Sequence, residues 1–565
     1  MVLALTLLVV IGAVALTERS IEQLPFAVVA LLLNTALLLM FVGDVERAML
    51  LSGLLALAVA GSSMVKFDHS ALKLTVADLP LAFAGTMPFL ISQYPRMMLS
   101  VLLGSLSLIA TSLAVLLCAA GPPVTLDVRA IVLSLALVGF ATIVAKGASL
   151  RPSLTERRCF YSTFVASLID PVSWRQFGGL AISDIADEPL PLQGATSARA
   201  MMFPDIIVIQ HESIFDPRIF GLPVEPSVDA FLSPPEGRHG QLNVDIFGGG
   251  SWQSEFSLLT GLSSASFGSS AYYLFKKGAG RFHTSLPFSL SSLGYQTTLI
   301  SSCRRSFLHY DEFYRSIGIN ERIFTDDLPP PFDIARFEAT SSDALFLDAA
   351  IAAHARRIAH DPRPRFLYLL TSYNHGPHDR RLAERCEARA FALASCPDTA
   401  YAEYYARLAE TAAIWQSLRS ELANRVAGRP TLIVHYGDHQ PVLTRRIARQ
   451  LPGDARRAFR TFYALETLNI SPEMFSRGRG PDLDIAFLGT TALQAAGLPL
   501  DPLFSTRASL LDECGTSYFA SDSMRKRGFH RTLVELGLVD LGPRAQPARI
   551  RKPDIAGVTR TRPTH

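Results

Sequence analysis

The sequence predicts an N-terminal helical transmembrane bundle followed by an α/β domain with a largely parallel central sheet and helices on both faces. Three observations carry this. Long, almost uncharged apolar runs crowd into the first quarter of the chain. From Met201 onward, short apolar runs alternate with longer amphipathic ones, the rhythm of strand and crossover helix. Four of the short runs end in clusters of His, Glu, Asp or Arg, as the strands of an open α/β sheet do at a site.

In chain order, the apolar runs are Val2–Leu16, Leu24–Gly43, Ala48–Val65, Leu79–Ser92, Met97–Ala120 and Ala130–Ala145. A soluble core helix is not apolar on all faces over such lengths, so residues 1–146 are expected to hold five or six spans. Pro80 and Pro88 make Leu79–Ser92 either a span or a re-entrant piece. Lysine and arginine in the loops favour a C-terminal part outside the cytoplasm with six spans and the reverse with five, leaving the count open. Residues 147–200 form a connector. Arg151, Arg157 and Arg158 precede an aromatic stretch through Trp174, which suits either a membrane-surface segment or a buried helix. Residues 201–541 are the α/β domain, and 542–565 are a basic tail without apolar period, expected to be disordered. The net charge of +3 gives no footprint for nucleic acid. Six cysteines build no disulfide framework, although Cys386 and Cys396 are close enough in sequence to close a small loop or to remain two thiols.

Within the α/β domain, Asp205–Gln210 runs into His211, Glu212 and Ser213; Thr297–Ser301 into Arg304 and Arg305; Phe366–Leu370 into Asn374, His375 and His378; Leu432–His435 into Asp438 and His439. The stretch Phe247–Leu262 reads FGGGSWQSEFSLLTGL. Three glycines let the backbone approach a ligand, and a helix then starts at or near Ser251, where free N–H groups favour an anion. Taken together, Glu212, Ser251, Asp438 and His439 offer two carboxylates, an imidazole and a hydroxyl, a shell suited to one divalent ion, Mn²⁺ or Zn²⁺. Such an ion lowers the pKa of the serine and turns it into a nucleophile for phosphorus.

The ordered motifs IIVIQHES, GGGSWQSEF, SFLHYDEFYRSIG, NHGPH and HYGDHQP, with VKFDHSALKLTVADL between apolar runs, resemble the lipoteichoic acid synthase and phosphoglycerol transferase branch of the alkaline phosphatase/sulfatase superfamily. That resemblance implies an alkaline phosphatase/sulfatase-like domain with Glu212, Asp438 and His439 as metal ligands. It implies Ser251 as nucleophile where the branch usually has threonine, and His375 as a substrate-binding histidine. Where lipoteichoic acid synthases contact phosphoglycerol through histidine, tryptophan and arginine, this chain has Ser301, Leu308 and Tyr310; Arg304, Arg305, His309 and Tyr310 are the candidates to line that pocket. Ser251 is not in a C/S-x-P-x-R setting, so formylglycine chemistry is not expected, and G-x-S-x-G is absent around it.

The function so implied is a multi-pass enzyme of the bacterial cytoplasmic membrane with its catalytic domain outside the cytoplasm. It moves a phospholipid headgroup from a membrane donor to a glycan or lipid acceptor. Two alternatives share the sequence features: a phosphatase or phosphodiesterase-type hydrolase, and a sensor or scaffold that keeps the fold without turnover.

Overall fold

Strand β1, Asp205–His211, is buried along its whole length and sits at the centre of a nine-stranded sheet. Its alternation sorts its side chains into two cores: Ile206 and Val208 join one face, Ile207 and Ile209 the other. The remaining strands are β2 Arg238–Asn243, β3 Gln296–Ser301, β4 Glu321–Ile323, β5 Arg365–Leu370, β6 Thr431–Gly437, β7 Arg460–Leu468, β8 Gly478–Arg479 and β9 Leu483–Asp484. They run in the order β4-β3-β5-β1-β6-β7-β2-β8, with β9 also on β2. β4, β3, β5, β1 and β6 are mutually parallel, while β7 pairs antiparallel with both β6 and β2. Parallel pairing puts the carboxyl ends of β3, β5, β1 and β6 on one edge, which aligns the four polar strand ends read from the sequence.

The computed structural model describes residues 10–12, 14–15, 17–70, 73–79, 91, 95–118, 121–146, 158–170, 179–198, 202–305, 310–328, 342–426, 428–451, 453–470 and 475–542. The chain forms two compact units, Met1–Phe177 and Gly178–His565. Among the described residues, the first unit holds four helices long and apolar enough to cross a membrane: Leu24–Val42, Val45–Asp68, Met97–Leu117 and Leu126–Ala145. The last has no buried residue although it is apolar from Ala130 onward apart from Ser134 and Thr142, a surface that suits lipid and not water. Of the other two expected spans, Leu79–Ser92 and most of Val2–Leu16 lie outside the described residues. In helix Phe160–Ile169, Phe160, Tyr161, Ala166 and the three polar residues Ser162, Thr163 and Ser167 have little exposure, or none. The Glu18 carboxylate caps its start, accepting from Tyr161 N at 2.9 Å and Ser162 N at 3.3 Å. Trp174 and residues 543–565 are outside the described residues.

The second unit begins at Gly178 because residues 179–198 are hydrogen-bonded into it, with Leu180 N on Leu541 O, Leu190 N on Gly528 O and Thr196 N on Leu500 O. Helix Ser251–Thr260 packs Phe256, Leu258 and Leu259 on one face of the sheet. Helix Thr399–Arg425 packs Tyr404, Tyr405, Leu408 and Trp415 on the other. Cys386 and Cys396 are both free thiols, which corrects the small-loop alternative. They lie at opposite ends of helix Cys386–Ser395, about 15 Å apart at 1.5 Å per residue, too far for a disulfide.

Candidate active site

Three strand-end residues and one helix start converge at the carboxyl edge of β1 and β6. Glu212 follows β1 and Asp438–His439 follow β6, so register pairing of His211 with Gly437 brings them side by side. Ser251 is the first residue of its helix, and Gly248, Gly249 and Gly250 before it all have positive φ, at 83°, 143° and 92°. A side chain at Gly248 would also meet Val442 at 2.8 Å, so this approach of the chain needs glycine for conformation and for space.

Ser251 Oγ lies 2.9 Å from Glu212 Oε2 and 3.3 Å from His439 Nε2. His439 Nε2 is 3.3 Å from Glu212 Oε1 and 3.5 Å from Asp438 Oδ2. Ligand atoms of Glu212, Asp438 and His439 all fall within 4.8 Å of one another, and all three residues are buried. Ser251 is only half-buried, the one member of the set open to solvent. Neighbours hold the set in place. Ser213 donates its Oγ to Glu212 Oε1 at 2.8 Å and its N–H to Asp438 Oδ1 at 2.7 Å, from a left-handed backbone at φ 58°. Ser254 Oγ donates to the Asp438 carbonyl at 2.6 Å, tying the helix that starts at Ser251 to the end of β6.

Burial raises Asp438, and the adjacent Glu212 charge raises it further, to about 7. Burial works against the charge on His439, yet Asp438 and Glu212 push it up to about 9. Burial likewise opposes the charge on Glu212, but the hydrogen bond and charge of His439 bring it down to about 2. The cluster thus carries more negative charge than its own imidazole balances, and it recruits a proton to compensate.

A divalent ion fits this set on two observations. Asp438 Oδ2 is fully buried with no hydrogen-bond donor. His439 Nδ1 donates to Gln440 O at 3.1 Å, so Nε2 is the ring atom that faces both carboxylates and would become a ligand once a metal displaced its proton. Glu212, Asp438 and His439, with the Ser251 hydroxyl, are the groups that would hold it.

The remaining candidates divide. His375, in the loop after β5, is half-buried and lies on the Glu212 side of the site. Its Nδ1 donates to Gly376 O at 2.6 Å, which leaves Nε2 as the ring atom open to a ligand. Arg304 is half-buried at the end of β3. Arg305 has a different occupation: it pairs with Asp311 at 2.7 Å and Asp327 at 2.6 Å, and its guanidinium lies 4.8 Å over the Phe324 ring. Those contacts brace the loop after β3. Tyr310 is 2 % exposed, with its ring against Phe275 and Tyr314. His309 and Leu308 lie outside the described residues.

A mostly parallel α/β sheet with this constellation at its carboxyl edge defines the alkaline phosphatase/sulfatase-like class of fold. The chain belongs to the sulfatase family, whose model matches residues 204–497, just over half of the sequence. A curated relative, an uncharacterised protein of Haemophilus influenzae, is 23 % identical over 313 residues, which cover 53 % of this chain and 55 % of the relative. The chain therefore spans about half the length of that relative. Similar solved structures include the phosphoglycerol transferase GacH of Streptococcus pyogenes in complex with sn-glycerol-1-phosphate, at 16 % identity over 59 % of this chain and 84 % of that one, TM-score 0.43. The integral membrane lipooligosaccharide phosphoethanolamine transferase EptA of Neisseria meningitidis is 11 % identical over 86 % and 95 % of the two chains, TM-score 0.49.

Proposed function

We propose that this protein is a membrane-anchored, metal-dependent phosphotransferase that moves a phosphoglycerol-like or other phospholipid headgroup onto a glycan or lipid acceptor, through a covalent intermediate on Ser251. One observation carries the reading: an accessible serine hydroxyl lies 2.9 Å and 3.3 Å from two buried groups of a metal-suited cluster, on the first turn of a helix. A bound Mn²⁺ or Zn²⁺ would lower the serine pKa and offset charge on the phosphoryl oxygens.

The chain's own groups divide the work. Ser251 Oγ attacks phosphorus; the new O–P bond forms as the bond from phosphorus to the diacylglycerol oxygen breaks, and that oxygen leaves with a proton. An acceptor hydroxyl then attacks the phosphoserine, gives up its proton and restores Ser251. The first-turn N–H groups of helix Ser251–Thr260 face the phosphate. His375 Nε2 is placed to hold a phosphoryl oxygen or to carry the leaving oxygen's proton. The four apolar helices keep such an enzyme in the same membrane as a lipid donor, and the expected location is a bacterial cytoplasmic membrane with residues 201–541 outside the cytoplasm.

The test is consumption of phospholipid in vesicles containing the full chain and Mn²⁺ or Zn²⁺. Headgroup transfer lost in Asp438→Asn supports the reading. Phosphate or free headgroup released to water, with no acceptor labelled, supports the hydrolase alternative. No turnover with metal bound supports a non-catalytic scaffold.

A further inference from the structure

The loop that carries His375 has almost no regular structure of its own: between Leu370 and Cys386 there is neither strand nor helix. Buried peptide groups in such a loop need partners, and here one face of helix Thr399–Arg425 supplies them. Glu403, Arg407, Glu410 and Thr411 are spaced to share that face. Glu403 Oε1 accepts from Leu382 N at 2.7 Å and Ala383 N at 3.0 Å. Glu410 Oε1 accepts from Arg385 N at 3.2 Å, and Thr411 Oγ1 from Asn374 Nδ2 at 3.2 Å.

Arg407 is the centre of this face and has no exposed surface. Its Nε pairs with Glu403 Oε1 at 3.0 Å. Its Nη1 reaches Tyr373 O at 3.4 Å and His375 O at 3.0 Å; its Nη2 reaches Pro377 O at 3.3 Å and Arg380 O at 2.9 Å. One guanidinium therefore gathers four carbonyls from an eight-residue stretch with His375 in its middle. A planar fork of five N–H groups can do that; the single ammonium of lysine cannot span the same set.

We propose that Arg407 is the positioning residue that sets His375 for the phosphate of the substrate, so that the grip on the anion depends on a cation that never touches it. The proposal rests on the reading of the site given above. Arg407 fixes the carbonyl of His375 while Gly376 O fixes its Nδ1, leaving Nε2 with one direction to face. None of the four clamped carbonyls belongs to Glu212, Ser251, Asp438 or His439, so the clamp acts on the anion and not on the metal.

The experiment uses the full chain in detergent, loaded with Zn²⁺ and titrated calorimetrically with inorganic phosphate as the probe; Zn²⁺ affinity is measured separately against a chromophoric chelator. Arg407→Lys and His375→Ala are each expected to weaken phosphate binding by about tenfold to a hundredfold, the worth of one hydrogen bond to a charged group. Zn²⁺ affinity stays at the wild-type value in both, which also reports a folded domain. The double variant binds phosphate no more weakly than His375→Ala alone, because both remove one interaction. Arg407→Met, which keeps the stem and drops the charge, gives the same pattern. Wild-type phosphate affinity in Arg407→Lys, or losses that add in the double variant, overturns the clamp. A parallel loss of Zn²⁺ affinity overturns it as well, since that marks general loosening. If the wild-type chain binds Zn²⁺ but no phosphate, the reading of the site falls first and the clamp with it.

Discussion

Gln210 Nε2 donates to Glu255 Oε1 across 3.1 Å and so joins the strand that ends in Glu212 to the helix that begins with Ser251. Both side chains are buried, the other Glu255 oxygen meets the Tyr314 hydroxyl, and Gln210 Oε1 accepts from Tyr368 at 3.2 Å. Burial pushes Glu255 up to about 8, so this group is a neutral acid at pH 7. Glu255→Gln keeps both the shape and the neutrality and is expected to stay within about 1 kcal/mol of wild type. Glu255→Leu leaves the Gln210 amide without its acceptor and costs about 1–3 kcal/mol. Urea unfolding of the full chain in detergent measures both; equal losses in the two variants contradict the bridge.

Gly437 allows the crossing beside Asp438. A Cβ there would lie 1.7 Å from the carbonyl oxygen of Ile214, a backbone atom with no side-chain freedom to yield. Gly437→Ala is expected to destabilise the domain by about 3 kcal/mol or more and to lower metal affinity with it. Normal thermal stability in that variant would show that β1 and β6 can separate at this point.

Acid sensitivity should come partly from two buried histidines. Burial, with the charge of Arg407, brings His378 down to about 3, and burial brings His354 down to about 4, from 6.5. Because the folded values are depressed, the unfolded chain takes up protons first as pH falls. The stability they contribute is complete above about pH 6.5 and is lost as pH drops toward 4 and then 3. For His378 the full window corresponds to roughly 5 kcal/mol at most. Tryptophan fluorescence reports the transition through Trp252 and Trp415, both in the second unit. His378→Gln should flatten the acid limb; an unchanged limb assigns it to other groups.

Metal should act as a stabilising ligand. At a hundredfold excess over its dissociation constant, Zn²⁺ or Mn²⁺ is expected to add about 2.7 kcal/mol to the stability of the second unit. Chelation removes the increment. Asp438→Asn should lose the response altogether, because it discharges the carboxylate whose Oδ2 has no hydrogen-bond donor. A full response in that variant would place the ion elsewhere.

Much of this arrangement was legible because parallel strands end where their polar residues begin. Glu212 and Asp438–His439 could be read as neighbours from two strand ends, and Ser251 from three glycines before a helix. The Arg407 face was not legible: in Thr399–Arg425, Glu403, Arg407 and Glu410 look like the solvated side of an amphipathic helix, and only the fold turns them toward a loop. Gln210, Glu255 and Tyr368 were equally silent, since a polar residue within an apolar run reveals its partners only when the sheet brings them together. Arg305 and Tyr310 make contacts that their places in the sequence did not reveal. Nearness in sequence to a strand end suggested a pocket, whereas Asp311, Asp327 and a ring cluster claim their side chains. The cysteine pair, open in the sequence, resolves to two thiols because ten residues coil into a helix and hold them apart.

The most direct measurement is the intact mass of the metal-loaded full chain after incubation with bacterial phospholipids and no acceptor, followed by peptide mapping. A phosphoester adduct confined to Ser251 is expected, its mass naming the headgroup; Ser251→Thr should retain it and Ser251→Ala should lack it while unfolding within about 1 kcal/mol of wild type. Turnover of phospholipid by Ser251→Ala at the wild-type rate, or an adduct on another residue, would contradict a covalent intermediate on Ser251.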